Sequence, residues 1–345
     1  MKNNSLTYKD SGVDIAQTDA IKVGIGKMLN TGNERVLGKI GDFAALYDID
    51  FGLREPVLVL KSEEPGSKQK LAFKYGLIES ICYDMINHLV NDIIVMGAKP
   101  LAVLDTIVTA SSDEYVINSL VKGMKNACSD NDCALVGGET SIQPGVVSGD
   151  VCVLTSTIAG IAEKSKIVDG SRIEAGDAVV AISSNGIHTN GYTLIRMLMD
   201  KFPSIIDEKI DGRTFTEIIM TPHRAYQKCI AEALSLGDKI TGMAHITGGG
   251  IAGNVCRILP EKLCAVIDLS KINVLPIFSL IKKYSGADDN EMLSTFNCGT
   301  GMIITCRQED KEHLLRVFNR YYASYEIGEI TYANEKVIFK NNLAW

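Results

Sequence analysis

Residues 76–108 read GLIESICYDMINHLVNDIIVMGAKPLAVLDTIV, and two periodicities meet inside this stretch. Ile78, Ile81, Met85, Leu89 and Ile93 recur at spacings of three and four, the period of a helix face turned to a core. The spacing predicts a helix from about Gly76 to Met96. Gly97 and Pro100 stop it, because proline has no N–H to donate and pushes its predecessor out of helical conformation. Asp84, His88, Asn91 and Asp92 share another face of the same helix. The run that follows, 101–108, is apolar apart from Asp105 and reads as a buried strand.

Working outward, 56–61 (PVLVLK) reads as a strand, 113–129 as a helix, and 133–137 and 151–159 as further strands. The polar, turn-rich 161–170 (IAEKSKIVDG) marks a boundary near 165. Beyond it, strands at 178–182, 240–246, 264–269 and 301–306 alternate with helices at 190–200, 222–236 and 308–319, and short strands follow near 324 and 336. No repeat of 20 to 50 residues is visible. The expected fold class is α/β (α+β) in two domains, 1–165 and 166–345, which matches the domain size usual for a chain of 345 residues.

An apolar fraction of 46% and a charged fraction of 22% are those of a packed globular protein and exclude disorder. A net charge of -7 repels a nucleic-acid backbone, while a local pocket for one phosphorylated metabolite stays compatible with it. The first residues carry no apolar signal core, and no run of about 18 apolar residues occurs. The expectation is a cytoplasmic protein with no membrane and no nucleic-acid partner. Nine cysteines include no C-x-x-C pair and read as free thiols in a reducing compartment. Cys298 invites a nucleophile reading, but no partner base is visible, and a small packed thiol is the plainer one.

Six segments break regular elements with glycines and small polar residues: 8–15 (YKDSGVDI), 91–92 with 97–100 (ND, GAKP), 137–140 (GGET), 183–192 (SSNGIHTNGY), 245–250 (HITGGG) and 295–301 (TFNCGTG). Glycine allows close backbone approach, and N–H groups at the start of a helix favour an anion. By itself, Thr247 to Gly250 is equally a flexible turn, and a histidine placed as His245 is, at a strand end, is more often a structural hydrogen-bonder than a catalyst. Asp92, Asp105 and Glu139 lie beside apolar runs, where an unpaired carboxylate is costly; as a set they suggest Mg²⁺ held with nucleotide phosphates. No Walker, G-x-G-x-x-G, kinase or G-x-S-x-G signature is present.

In this order the six segments resemble the phosphoribosylformylglycinamidine cyclo-ligase (aminoimidazole ribonucleotide synthetase) family, from Tyr8 to about Ile304. Other ATP-using relatives, such as selenophosphate synthetase and thiamine-phosphate kinase, share the Asn-Asp, Met-Gly-Ala-Lys-Pro and Gly-Gly-acidic parts. The resemblance implies an N-terminal ATP-binding mixed-sheet domain that pairs in a homodimer, a C-terminal α/β domain, and ATP in a cleft near the interface. It implies the ATP-dependent closure of formylglycinamidine ribonucleotide to aminoimidazole ribonucleotide, with ADP and phosphate released, in purine biosynthesis. An amide oxygen is a poor leaving group; phosphorylating it lets the amidine nitrogen displace phosphate as the ring closes, and positioning and charge neutralisation supply most of such a rate.

The residues it implies are Asp92, Asp105 and Glu139 for Mg²⁺; Glu63, Gly66, Ser67 and Lys68 with those carboxylates for ATP; His188 and His245 for proton transfer or oxyanion contacts; and Asn190, Thr247, Gly248, Gly249 and Gly250 for the phosphorylated ribonucleotide. Two stretches depart from the family. SEEPGSK (62–68) stands where TDGVGTK is usual, adding charge and losing a backbone donor. GDVCVLT (149–155) stands where an acidic-Tyr-Asp-x-Ala-Gly segment is usual. These departures keep two alternatives open: a paralogue that phosphorylates another amide or carboxylate, and a non-catalytic nucleotide-binding dimer.

Overall fold

The computed structural model describes residues 15–29, 32–37, 42–148 and 152–345. Most of the 8–15 segment, and residues 149–151 of the second departure, lie outside them. A first helix, α1 (Ile15–Met28), and a short ribbon of β1 (Val36–Leu37) and β2 (Leu46–Tyr47) precede the sheet. Then come β3 (Pro56–Glu63), α2 (Lys68–Lys74), α3 (Ile78–Ile94), β4 (Lys99–Thr109), α4 (Glu114–Asp130), β5 (Ala134–Ile142) and β6 (Cys152–Glu163).

The four long strands form one sheet in the order β3-β6-β4-β5, with β4 and β5 parallel and the other pairs antiparallel. The mixed sheet follows from the connections: β3 to β4 and β4 to β5 each pass through a 17-residue helix, α3 and α4, and keep the strand direction, while the β5–β6 link has no helix among its described residues and β6 runs antiparallel to both neighbours. Helices α3 and α4 pack on one face. The predicted core stripe of α3 is there: Ile81, Met85 and Leu89 are wholly buried and Ile93 nearly so. Asp113 begins α4 by accepting the Val116 N–H, as an N-cap carboxylate should. On the other face of the sheet, Leu58, Leu60, Leu104 and Val153 stand 42 to 65% exposed, an apolar surface that no element among the described residues covers.

The second half contains β7 (Ala178–Ser183), α5 (Tyr192–Lys201), β8 (Lys209–Ile210), β9 (Arg213–Thr214), α6 (Phe215–Ile219), α7 (Gln227–Ser235), β10 (Ile240–His245) and α8 (Gly250–Val255). It ends with β11 (Leu263–Asp268), α9 (Pro276–Ser285), α10 (Asp289–Thr295), β12 (Thr300–Cys306), α11 (Gln308–Phe318), β13 (Ser324–Tyr332) and β14 (Val337–Lys340). Six strands pair in the order β10-β12-β7-β13-β11-β14, antiparallel except for β11 with β14. Strand β7 lies inside this sheet and is buried along nearly its whole length, which is why it reads as an unbroken apolar run.

Two differences from the sequence reading have physical causes. The helix expected from 222 begins only at Gln227. The N–H groups of His223 and Tyr226 are taken by Asp84 and Asn91 of α3, so the preceding residues are committed to side-chain partners instead of a helical turn. Helices α2, α9 and α10 were not anticipated from the sequence; α2 and α10 are only seven residues each, too short for a clear period.

Candidate active site at the domain seam

The second face of α3 forms the seam between the halves. Asp84, Asn87, His88, Asn91 and Asp92 follow one another at helical spacing, and each reaches into the C-terminal half. Asp84 accepts the His223 N–H at 2.8 Å. Asn87 donates to the His223 carbonyl at 2.6 Å. Asn91 donates to the Arg224 carbonyl at 2.8 Å and accepts the Tyr226 N–H at 3.0 Å. Backbone groups of 223–226 that belong to no helix or sheet are thereby satisfied, as buried polar groups must be.

Four of the five histidines converge at one end of this seam. His245, at the end of β10, donates from Nδ1 to Asp92 at 2.7 Å. Its Nε2 faces His223 Nε2 at 2.9 Å. Thr189 Oγ1 lies 3.4 Å from His223 Nδ1 and 3.3 Å from His88 Nδ1; with one hydroxyl proton it can donate to one ring and accept from the other. His188 donates from Nε2 to Asn185 at 3.1 Å and stacks on His223 at 3.9 Å between ring centres.

Burial sets the charge of this cluster. His188 and His223 are held well below the ordinary imidazole value, first by loss of water and then by neighbouring imidazoles. His88 is lowered to about 4 for the same two reasons, against the pull of Asp92 and Glu63. Burial works to raise Asp92, but the hydrogen bond and charge of His245, with His88 and Lys61, hold it well below the usual carboxylate range.

His188 and its neighbours are placed by the glycine-rich loops. His188 itself has φ +65°, uncommon for a residue with a Cβ. Asn297 pins the loop: it donates to the Gly186 and Ile187 carbonyls and accepts from Ser184 Oγ and the Gly299 N–H. The segments 183–192 and 295–301, 113 residues apart at the Ser184–Asn297 contact, are therefore one structural unit. Cys298 is wholly buried and its thiol is pushed up to about 12 by burial, so it is a packed thiol and no nucleophile.

Lys68, which the resemblance implies as an ATP contact, is fully buried. Its ammonium is 2.8 Å from Asp84, 2.8 Å from the Thr221 carbonyl and 3.4 Å from the His188 carbonyl. An ammonium has three protons, and all three are occupied in holding α2, α3 and the C-terminal half together. Gly66 (φ +66°) and Ser67 form the turn into α2, with the Thr189 carbonyl 3.5 Å from where a Gly66 Cβ would be. Glu63, at the end of β3, meets Lys61 at 3.1 Å and lies 3.7 Å from His88; Lys61 also meets Asp92 at 3.1 Å.

Asp105 lies two strands and Glu139 three strands across the sheet from Glu63, in the row Glu63, Ser156, Asp105, Gly138 and its neighbour. Neither belongs to the groups of converging metal donors found among the described residues. The Asp105 carboxyl is raised to about 7, first by burial and then by the charge of nearby Glu139. A Cβ on Gly138 would fall 2.2 Å from the Asp105 carboxylate; the second glycine of GGET is there to let that carboxylate in. On the C-terminal side, Asn190 comes within 3.3 Å of the Cβ position of Gly248, so the Asn190 and 247–250 residues do meet. Asn254 organises that turn by donating to the Thr247, Gly248 and Gly250 carbonyls. Gly249 and Gly250 have positive φ, and a Cβ on Gly250 would fall 1.7 Å from the Leu293 carbonyl.

His88, His223, Asn185, Thr189 and Asn297 were not chosen from the sequence. His88 sat on the face already singled out with Asp92, and that spacing was its signal; His223 had none. A cleft of about 670 Å³ between Phe51, Arg54, Lys99, Glu163 and Lys166 opens at the start of β3. The histidine cluster lies by its end.

The chain matches the model of the AIR synthase related protein N-terminal domain over residues 41–162 and that of the C-terminal domain over 174–340. It is 39% identical over 310 residues to a phosphoribosylformylglycinamidine cyclo-ligase of Methylobacillus flagellatus, covering 90% of this chain and 89% of that protein. It is 40% identical over 311 residues to the protein of that name from Paraburkholderia phymatum, covering 89% and 86%. Among solved structures it is similar in fold to thiamine-monophosphate kinase from Stenotrophomonas maltophilia, with TM-score 0.68, 17% identity and 96% and 98% of the two chains covered. The hydrogenase maturation protein HypE in complex with ATP gives TM-score 0.66, 17% identity and coverage of 95% and 92%. Relatedness across both halves and identity near two residues in five establish that this chain belongs to the phosphoribosylformylglycinamidine cyclo-ligase family of AIR synthase related proteins.

Proposed function

We propose that the chain is an ATP-dependent cyclo-ligase that closes formylglycinamidine ribonucleotide to aminoimidazole ribonucleotide in purine biosynthesis. The observation that carries this reading is the convergence of Asp92, His188 and His245, from three of the family-like segments, on one buried seam. His245, oriented by Asp92, and His188, oriented by Asn185, are the groups for proton transfer or oxyanion contact at the closing ring. Asn190, Thr247 and the backbone of Gly248 to Gly250 hold the ribonucleotide.

Mg²⁺ fits the carboxyl pair of Asp105 and Glu139. The Asp105 carboxyl is raised to about 7 by burial and then by the charge of Glu139, and a cation there would offset both. Bound there, Mg²⁺ would neutralise charge on the nucleotide phosphates; Asp92 is already engaged at the seam by His245 and Lys61. The 62–68 loop offers no free lysine, so the triphosphate depends on metal and backbone donors more than the TDGVGTK pattern would require. The uncovered leucines of the four-stranded sheet suit pairing of two chains in a homodimer, and a cytoplasmic setting suits nine unpaired thiols.

The test is direct. Purified protein should release ADP from ATP only when formylglycinamidine ribonucleotide is supplied, with aminoimidazole ribonucleotide as the product. Nucleotide turnover indifferent to that compound would overturn the assignment.

A further inference from the structure

We propose that His188, His223 and His245 form a three-imidazole site for a divalent transition-metal cation of the zinc class. The inference rests on the cluster's own geometry; it shares His188 and His245 with the ring-closing reading, and metal on their free nitrogens would take the place of proton transfer there.

Each of the three rings has one nitrogen engaged by an oxygen and the other left over. His245 gives its Nδ1 proton to Asp92 at 2.7 Å. His188 gives its Nε2 proton to Asn185 Oδ1 at 3.1 Å. His223 Nδ1 faces Thr189 Oγ1 at 3.4 Å. This is the outer-shell pattern of metal-bound histidines, in which an acceptor behind the ring fixes the tautomer and aims the other lone pair inward. The nitrogens that remain are His245 Nε2, His223 Nε2 and His188 Nδ1. One donor nitrogen from each ring lies within 4.8 Å of the other two.

The leftover nitrogens are poorly served by the protein itself. His188 Nδ1 is buried without any hydrogen-bond partner, a state that ordinarily costs about 1–3 kcal/mol. His223 Nε2 and His245 Nε2 face one another at 2.9 Å, so a single proton has to serve two lone pairs. A cation replacing that proton satisfies all three nitrogens, once the stacked His188 and His223 rings fan apart about their Cβ–Cγ bonds. The three residues are at most 5% exposed, and burial keeps His188 and His223 unprotonated, the form that binds metal. Imidazole donors select Zn²⁺, Cu²⁺, Ni²⁺ or Co²⁺ over Mg²⁺, which separates this site from the carboxylates of Asp105 and Glu139. Three protein ligands leave a fourth position open.

The hydrogen bonds are consistent throughout. With metal on Nε2, His223 carries its proton on Nδ1 and donates to Thr189 Oγ1. Thr189 then donates to His88 Nδ1, and the His88 Nε2–H faces the Glu63 and Asp92 carboxylates, each 3.7 Å away. A second grouping, His88, Asp92 and His245, also brings three donors together. It uses up the Asp92–His245 hydrogen bond and leaves His188 Nδ1 unserved.

The experiment is a Co²⁺ titration of the full chain freed of metal by a chelator, followed by its visible d–d absorption and by elemental analysis, with Zn²⁺ as competitor. One Co²⁺ per chain, displaced by one Zn²⁺ and accompanied by a rise in thermal midpoint, is expected. His223→Gln and His188→Asn should abolish stoichiometric uptake, Asn being chosen because it tolerates the positive φ at 188. His88→Gln should retain it. No stoichiometric uptake by the unmodified chain overturns the proposal, and that result requires no variant to fold. Uptake lost in His88→Gln but intact in folded His223→Gln or His188→Asn also overturns it.

Discussion

Asp92 and His245 stand 2.7 Å apart across 153 residues of sequence, and the contact ties the last turn of helix α3 to the end of strand β10. It joins the Asn-Asp segment of one half to the HITGGG segment of the other. It also fixes which nitrogen of His245 carries a proton, since an ionised carboxylate can only accept.

Asp92→Asn removes the charge and keeps the shape. Turnover should fall about 100-fold, in the range associated with a mispositioned proton-transfer group, while folding loses about 1–3 kcal/mol. Steady-state ADP release and denaturant unfolding measure the two effects separately; unchanged turnover would remove His245 from the chemistry.

The Lys68–Asp84 pair is wholly buried. Lys68→Met strands a carboxylate and should cost about 3–5 kcal/mol of stability. Adding Asp84→Asn, which keeps an acceptor for the His223 N–H, should recover a large part of that loss. Denaturation curves of the single and double variants decide this. A higher KM for ATP with full stability would instead return Lys68 to phosphate binding.

Acid sensitivity has a defined direction at His88. Its folded pKa of about 4 lies below the ordinary 6.5, so the unfolded chain takes up its proton first as pH falls. The contribution of neutral His88 is therefore present above pH 6.5 and is lost between 6.5 and about 4. Between pH 7 and 4.5 the unmodified chain should lose about 2 kcal/mol more than His88→Gln. Metal-free denaturation at the two pH values is the measurement, and equal losses would contradict the shift.

Leu58 and Leu60 project from the uncovered face of the four-stranded sheet, 56% and 65% exposed. If this face pairs with that of a second chain, Leu60→Lys should convert a dimer to a monomer in sedimentation experiments and leave the fold intact. A dimer unaffected by the charge would place the interface elsewhere.

Glu139 is exposed, whereas Asp105 beside it is buried. Glu139→Gln should raise the Mg²⁺ needed for half-maximal activity and lower turnover strongly, with stability changed by no more than about 0.5 kcal/mol, as for other surface positions. Thermal unfolding alongside a Mg²⁺ titration tests it, and collapse of the fold would make Glu139 structural.

Much of the architecture is local information and was legible in residue order. The apolar period of Ile78, Ile81, Met85, Leu89 and Ile93 produced α3, and the unbroken run 178–182 produced the buried β7, because a segment's period reports which of its sides leaves water. The glycine-rich and acidic segments were legible too, and with them the family. Three matters were settled only in three dimensions. Lys68 has the composition of a phosphate-binding lysine, but Asp84 lies one helix away and three acceptors surround its ammonium. His223 follows Pro222 in a stretch with a helical look and becomes a seam residue only because α3 supplies partners for its N–H and carbonyl. The four-histidine cluster draws on α3, two loops and the end of β10, and no sequence spacing encodes it. Periodicity carries the burial of one segment against its own axis; charge pairing and imidazole tautomers depend on partners 3 (Asn185–His188), 16 (Lys68–Asp84) or 153 (Asp92–His245) residues apart, a spread that no period encodes and that the fold alone brings together.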